Sequence, residues 1–265
     1  MAARRSANGA GGDTHRSGGV QSLERAFDLL ELMADAGGEM GITELAAGSG
    51  LPLPTIHRLM RTLLSRGYVR QAPSRRYALG PRLIRLGDSA GAMLGAWARP
   101  QLAALVDSVG ETANLAILDG ARAVYVAQVP SAHSMRMFTE VGRRVLPHCT
   151  GVGKALLAQL SDAEVSAILS ATGLPAQTPQ TITDAATLMH ELHQIRREGY
   201  ALDNGEQEVG VRCVAVPVPG SPTLTALSVS GPASRFTQQA VYHYLPLLKR
   251  TAGQLSATIS MEAAG

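Results

Sequence analysis

Cysteine is almost missing: Cys149 and Cys213 are the only two in 265 residues. That excludes a disulfide framework and a cysteine-rich zinc site, and it suits a reduced, cytoplasmic setting. No unbroken apolar run approaches the length of a membrane span, so no membrane partner is expected. The opening "MAARRSANGAGGDTHRSGGVQ" has basic residues but no apolar stretch behind them, unlike a secretory leader. Its Gly, Ser and Arg content predicts a flexible tail over 1–19. Charge is also sparse, at 17% of residues and a net of +3, and the length allows two domains with cores of their own.

The most informative absence is local. From Leu45 to Gly87 there is no Asp or Glu, yet Arg58, Arg61, Arg66, Arg70, Arg75, Arg76, Arg82 and Arg85 all fall there. Residues 1–85 hold twelve Arg against seven acids, a net of +5; the other 180 hold twelve bases against fourteen acids, a net of −2. Solvated charged faces usually mix both signs, whereas an acid-free basic segment inside a folded domain suits a phosphate backbone.

Within that segment, "LPLPTIHRLMRTLLSRGYVRQ" (Leu51–Gln71) predicts a helix opened by two prolines, where first-turn amides have no intrahelical acceptor anyway. Ile56, Leu59, Leu63 and Leu64 form its apolar face, and Thr55, His57, Arg58 and Arg61 its polar one. Upstream, "SLERAFDLLELM" predicts a helix capped by Ser22, with Leu23, Ala26, Phe27, Leu30 and Met33 on one side and Gly37–Gly38 as its stop. "GITELAAGSGL" predicts a short helix capped at Thr43 and ending at Gly48. Short helix, glycine turn and amphipathic helix make a helix-turn-helix. "GYVRQAPSRRYALG" then reads as a two-stranded wing turning at Pro73–Ser74, with Arg75 and Arg76 near its tip.

These stretches, "LERAFDLLELM…GITELAAGSGLPLPTIHRLMRTLLSRGYV…RRYALGPRLIRLG", resemble the IclR family of bacterial transcription regulators. The resemblance implies an α+β protein: an N-terminal winged helix-turn-helix (20–80), a linker helix (81–98), and a GAF-like α/β effector-binding domain with a six-stranded antiparallel sheet (99–265). It assigns DNA contact to Thr55, His57, Arg58 and Arg61, with Arg75 and Arg76 on the wing. It also implies a homodimer or homotetramer on a palindromic double-stranded DNA operator. Relatives usually carry polar residues where this chain has Leu53–Pro54.

In the linker, apolar residues at helical spacing are interrupted at Pro100; Leu83, Leu86, Met93, Leu94 and Trp97 either join two subunits or pack within their own. "ETANLAILDGARAVYVAQV" predicts a hairpin turning at Asp119–Gly120, and "SMRMFTEVG" another short strand. "VRCVAVPV" and "LTALSVSGP" predict two more strands, with helices near 151–159, 162–172 and 185–198 before them.

"HCTGVGKALLAQL" fails as a phosphate-binding loop, having His148 and Ala155 where that motif needs Gly and Ser or Thr. It reads instead as a glycine turn opening a helix, whose free amides favour an anion. By the family resemblance, "HCTGVGKALLA" and "YALDNGEQEVGVRCVAVPV…ALSVSGP" hold the effector pocket: Met137, Gly151, Val152, Asp203, Val211, Cys213, Ser228 and Ser230. The family's effectors are small organic acids, and the mixed lining leans towards allantoate or glyoxylate, with an aromatic acid as the rival. No cofactor is implied. Ser228 and Ser230, two apart on a strand, point the same way. Each position also has a plain structural role open to it, Cys213 as a small buried hydrophobe and Asp203 as a turn cap in "LDNG". A Cys213–His148–Asp203 hydrolase and a metal site at His190 and His193 are weakly supported, so no catalytic or metal residue is expected.

Overall fold

A computed structural model describes residues 19–137 and 139–262. The tail expected over 1–19 lies outside the described residues apart from Gly19, as do the side chains of Met93 and Leu94. The chain packs as two compact units divided between Asp88 and Ser89, within one helix.

In the first unit the order is α1 (Gln21–Asp35), β1 (Glu39–Met40), α2 (Ile42–Ser49), α3 (Leu53–Ser65), β2 (Val69–Gln71) and β3 (Tyr77–Leu79), followed by the start of α4 (Arg82–Leu94). Leu29, Met33, Leu45, Ile56 and Met60 are its fully buried centre. The wing has the expected two strands and a third, since Glu39–Met40 pairs with β3 in the order β1-β3-β2. Pro52 caps α3 and Pro54 sits in its first turn, as the sequence predicts. Met60, not Leu64, completes the buried face.

Helix ends differ from expectation where the backbone supplies the cap. The carbonyl of Val20, not the Ser22 side chain, accepts the first amides of α1. Gly41 begins α2, with the Glu44 carboxylate accepting its amide at 2.7 Å, so Thr43 lies inside the helix. The left-handed residue that ends α2 is Gly50, φ +66°. Gly48 has another job: a Cβ there would sit 2.7 Å from Leu32, so the glycine lets α1 and α2 approach closely.

The second unit takes in the end of α4, then α5 (Arg99–Val109), β4 (Thr112–Asp119), β5 (Arg122–Val129), β6 (Arg144–Val145), α6 (Gly151–Leu157), α7 (Asp162–Thr172), α8 (Ala185–Glu198), β7 (Ala201–Asn204), β8 (Val211–Val218), β9 (Thr225–Pro232) and α9 (Gln238–Glu262). Six antiparallel strands run in the order β6-β5-β4-β9-β8-β7. Odd-numbered residues of β4 and β9, such as Leu115 and Val229, pack under α5 and α9. Even-numbered ones, such as Ala116 and Ala226, face α6, α7 and α8.

Two expectations need correction. Residues 134–142 hold no strand among those described; the pairing falls at Arg144–Val145. The linker helix breaks at Gly95, where a Cβ would meet the Val126 carbonyl at 2.5 Å, while Pro100 lies in the first turn of α5. Asp203 is the third residue of strand β7, and its Oδ1 accepts the Glu206 amide at 2.7 Å, so it caps the turn that follows.

Candidate DNA-contacting face and effector site

Helix α3 buries Ile56, Leu59, Met60 and Leu63 and thereby turns His57, Arg58 and Arg61 outward, all exposed; Thr55 is half-buried at its start. Pro54, His57, Arg58 and Arg61 line one shallow surface depression beside Tyr77. Neither Arg58 nor Arg61 has a carboxylate partner among the described residues. Their charge therefore stands uncompensated on one face. The two wing arginines part company. Arg75 is exposed at the turn with φ +61°, a left-handed conformation uncommon outside glycine. Arg76 is engaged within the unit, 2.8 Å from Glu44 and 3.3 Å from Glu39. The Gly41 amide and then Arg76 hold the Glu44 carboxyl below its ordinary range.

The sequence-predicted effector residues converge on the α6 side of the second unit's sheet. Asp203, Cys213, Ser230 and Thr112 form one rung across β7, β8, β9 and β4. Two residues along, Ala215, Ser228 and Asn114 form the next. Gly151 starts α6 against the first rung: a Cβ there would lie 2.8 Å from the Cys213 sulfur. Met137 is tied over the rung by its carbonyl, which accepts from the Thr112 hydroxyl at 3.2 Å. Val211 is buried two positions from Cys213, on the same face. Val152 departs from this arrangement, with its side chain packed among Ala155, Leu156 and Leu188 in the core under the sheet.

Burial controls the electrostatics here. It pushes the Asp203 carboxyl above its ordinary range, although the Glu206 amide donates to Oδ1 at 2.7 Å. It pushes the Cys213 thiol up to about 12, so the sulfur stays protonated. The neighbouring helix carries a residue that the sequence reading passed over. Lys154 is fully buried, with Nζ 2.5 Å from Glu191 and 2.6 Å from Glu206. Burial opposes its charge, but the two carboxylates outweigh that and raise its pKa. Burial raises Glu206 to about 7. The Lys154–Glu206 pair anchors α6 to the β7–β8 loop, whose Glu206 amide bonds Asp203 at the end of β7.

Thr112 and Asn114 share these rungs, and Tyr125, opposite Ala116, is on the same face; the sequence reading named none of them. They lie on hairpin strands whose alternation marked the sheet but not which face was polar. The His148 ring bonds the Pro175 carbonyl at 3.2 Å, and burial lowers its pKa. His193 pairs with Asp162 at 3.0 Å, and no group of three metal-ligating side chains occurs among the described residues.

Residues 22–73 match the family model described as the IclR helix-turn-helix domain, and residues 91–257 the one for the C-terminal domain of bacterial transcriptional regulator IclR. The chain is 36% identical over 247 residues to the transcriptional repressor IclR of Escherichia coli, covering 91% of this chain and 90% of that protein. It is 34% identical to the transcriptional repressor AllR of Escherichia coli, covering 92% of each. Among solved structures, an IclR transcriptional regulator from Alicyclobacillus acidocaldarius superimposes with a TM-score of 0.79 at 31% identity, covering 90% of this chain and 98% of that one.

Proposed function

Because the chain belongs to the IclR family of DNA-binding transcription regulators, which are not enzymes, we propose that it is a repressor whose operator affinity is set by a small carboxylate. The observation that carries the DNA reading is the exposed His57, Arg58 and Arg61 face of α3, with half-buried Thr55 at its start and no carboxylate against it among the described residues. In a helix-turn-helix the start of the second helix meets base edges in the major groove, and arginine pairs with guanine in two-pronged fashion. Arg75 reaches phosphate from the wing tip. Arg76 reaches it only by releasing Glu39 and Glu44, so its first role is to hold the wing against α2.

A palindromic operator calls for two such heads, and the first unit carries a surface suited to pairing. Leu23, Phe27 and Leu86 are each about half exposed and line an apolar groove of about 1150 Å³ with Leu30 and Leu83. Exposed apolar patches of this kind mark interaction sites. Two copies meeting there form the homodimer, and two dimers the tetramer. Trp97, by contrast, packs against the core of its own second unit.

The effector is held on the rung of Asp203, Cys213 and Ser230, beneath the opening turn of α6. A neutral thiol, a hydroxyl, free amides and a carboxyl raised by burial suit an acid that also carries hydrogen-bonding groups, such as allantoate or glyoxylate. Asp203→Asn with Ser230→Ala tests this. Operator binding stays within about twofold of the parent, and release by the acid is lost. Undiminished release by the same acid shows the pocket to be elsewhere.

A further inference from the structure

The arginines and His57 do not account for the whole outer surface of α3. Leu53 opens the helix and is 44% exposed, with Pro52 and Pro54 exposed on either side of it. Leu51, two residues earlier, packs against the core of the first unit, and Ile56, three residues later, is fully buried. Leu53 therefore stands off the buried face. Pro54 lies on the polar face itself and lines the same depression as His57, Arg58 and Arg61. A lone exposed leucine is ordinary on a protein surface. Here three apolar residues share the first turn of the helix, the part that meets base edges in a helix-turn-helix.

The same residues remove hydrogen-bond donors. Pro52 and Pro54 have no N–H, and the amides of Thr55 and Ile56 donate back to the Pro52 carbonyl at 2.9 and 3.1 Å. A helix start commonly turns free amides outward, where phosphate or base acceptors take them up. This one presents methylene and methyl groups instead. In the major groove, adenine, guanine and cytosine show donors and acceptors alone, whereas thymine adds a C5 methyl group. Thymine is the base that an apolar helix start can select.

We infer that Leu53 packs on a thymine methyl group in the major groove, with Pro54 walling the contact, and is a specificity-determining residue for one thymine in each operator half-site. The inference rests on the DNA reading of α3 above and narrows it. Leu53 lies one helical turn before His57, and Pro54 one turn before Arg58, so that thymine is next to the base pairs met by His57 and Arg58. Polar residues at the same positions would choose a base by hydrogen bonds. This chain chooses by shape and methyl contact.

The test uses the full chain in two steps. Selection from random duplexes by the parent should enrich a palindrome with a fixed thymine in each half-site. Selection by Leu53→Ser should enrich the same palindrome with that position relaxed. On the enriched duplex, each thymine is then exchanged in turn for deoxyuridine, which lacks only the C5 methyl, and affinity is read by fluorescence anisotropy. At the thymine met by Leu53, the exchange should weaken parent binding about fourfold, as burial of one methyl group predicts, and leave Leu53→Ser unmoved. Leu53→Met, which keeps an apolar side chain, should keep the discrimination. The melting temperature of Leu53→Ser should stay within about 2 °C of the parent, because the side chain is exposed. Indifference of the parent to deoxyuridine at every thymine overturns the inference, as does an equal loss for Leu53→Ser. A fall of about 5 °C or more in the melting temperature of Leu53→Ser also overturns it, by placing the side chain in the core. If the parent enriches no sequence at all, the DNA reading of α3 fails first and the inference with it.

Discussion

Individual residues divide into those that meet solvent and those that hold the interior together. Arg58 and Arg61 are exposed and unpaired by acids, so replacing both with Ala should leave the melting temperature unchanged. Operator affinity should fall by about 1–3 kcal/mol for each base-reading arginine, or the salt slope should drop by about one for each that meets phosphate. Fluorescence anisotropy at two salt concentrations separates the two roles. Glu206 belongs to the other class. Its folded pKa of about 7 lies above the ordinary 4.5, so the native state holds this proton through a range where the unfolded chain has lost it. The resulting stability is present below about 4.5 and falls as pH rises towards 7. Denaturant melts between pH 4.5 and 7.5 should show that slope, and Glu206→Gln, which keeps an oxygen for Lys154, should flatten it. The sequence displayed the arginines plainly because their signal is compositional. It hid Lys154 and Glu206, since fifty-two residues separate partners that only α6 and the β7–β8 loop bring together.

At the level of elements, glycines decide how closely the site's parts approach. Gly153 in α6 packs on the Pro147 backbone, and a Cβ there would also meet the Thr150 hydroxyl at 2.6 Å. Backbone gives way poorly, so Gly153→Ala should cost about 3 kcal/mol. Thermal melts should show that loss in the second unit, with the DNA-binding unit still folded. Most elements were legible from periodicity: α3, its proline start, the β4–β5 hairpin, β8, β9, α7 and α8 all stand where spacing puts them. Two-residue strands were not, because β1 and β6 are too short to alternate and exist only through pairing with β3 and β5. Nor was β7, where "LDNG" carries turn chemistry but Leu202 and Asp203 pair with Val214 and Cys213 before the turn begins. The amphipathic pattern of α1 put Leu23 and Phe27 on one side with Met33, yet Met33 is buried and the other two are about half exposed. Periodicity says that a face is apolar, not whether the same chain covers it.

For the whole molecule, that uncovered face is the proposed seam between two copies. Phe27→Asp with Leu86→Ser should give a monomer in analytical ultracentrifugation, with the melting temperature of the first unit kept within a few degrees. Its binding to a palindromic operator should weaken at least tenfold, because two half-sites no longer engage one particle. A dimer undisturbed by both changes places the seam elsewhere. Coupling between operator and effector is a free energy of about 1–3 kcal/mol, equivalent to a 5- to 150-fold change in affinity. The most direct test is a titration of labelled DNA from upstream of this protein's own gene, alone and with allantoate, glyoxylate or an aromatic acid. The account predicts specific binding that weakens steeply with salt and falls 5- to 150-fold with one acid and not the others. Specific binding unmoved by all three contradicts the proposed effector, and absence of specific binding at low salt contradicts the repressor itself.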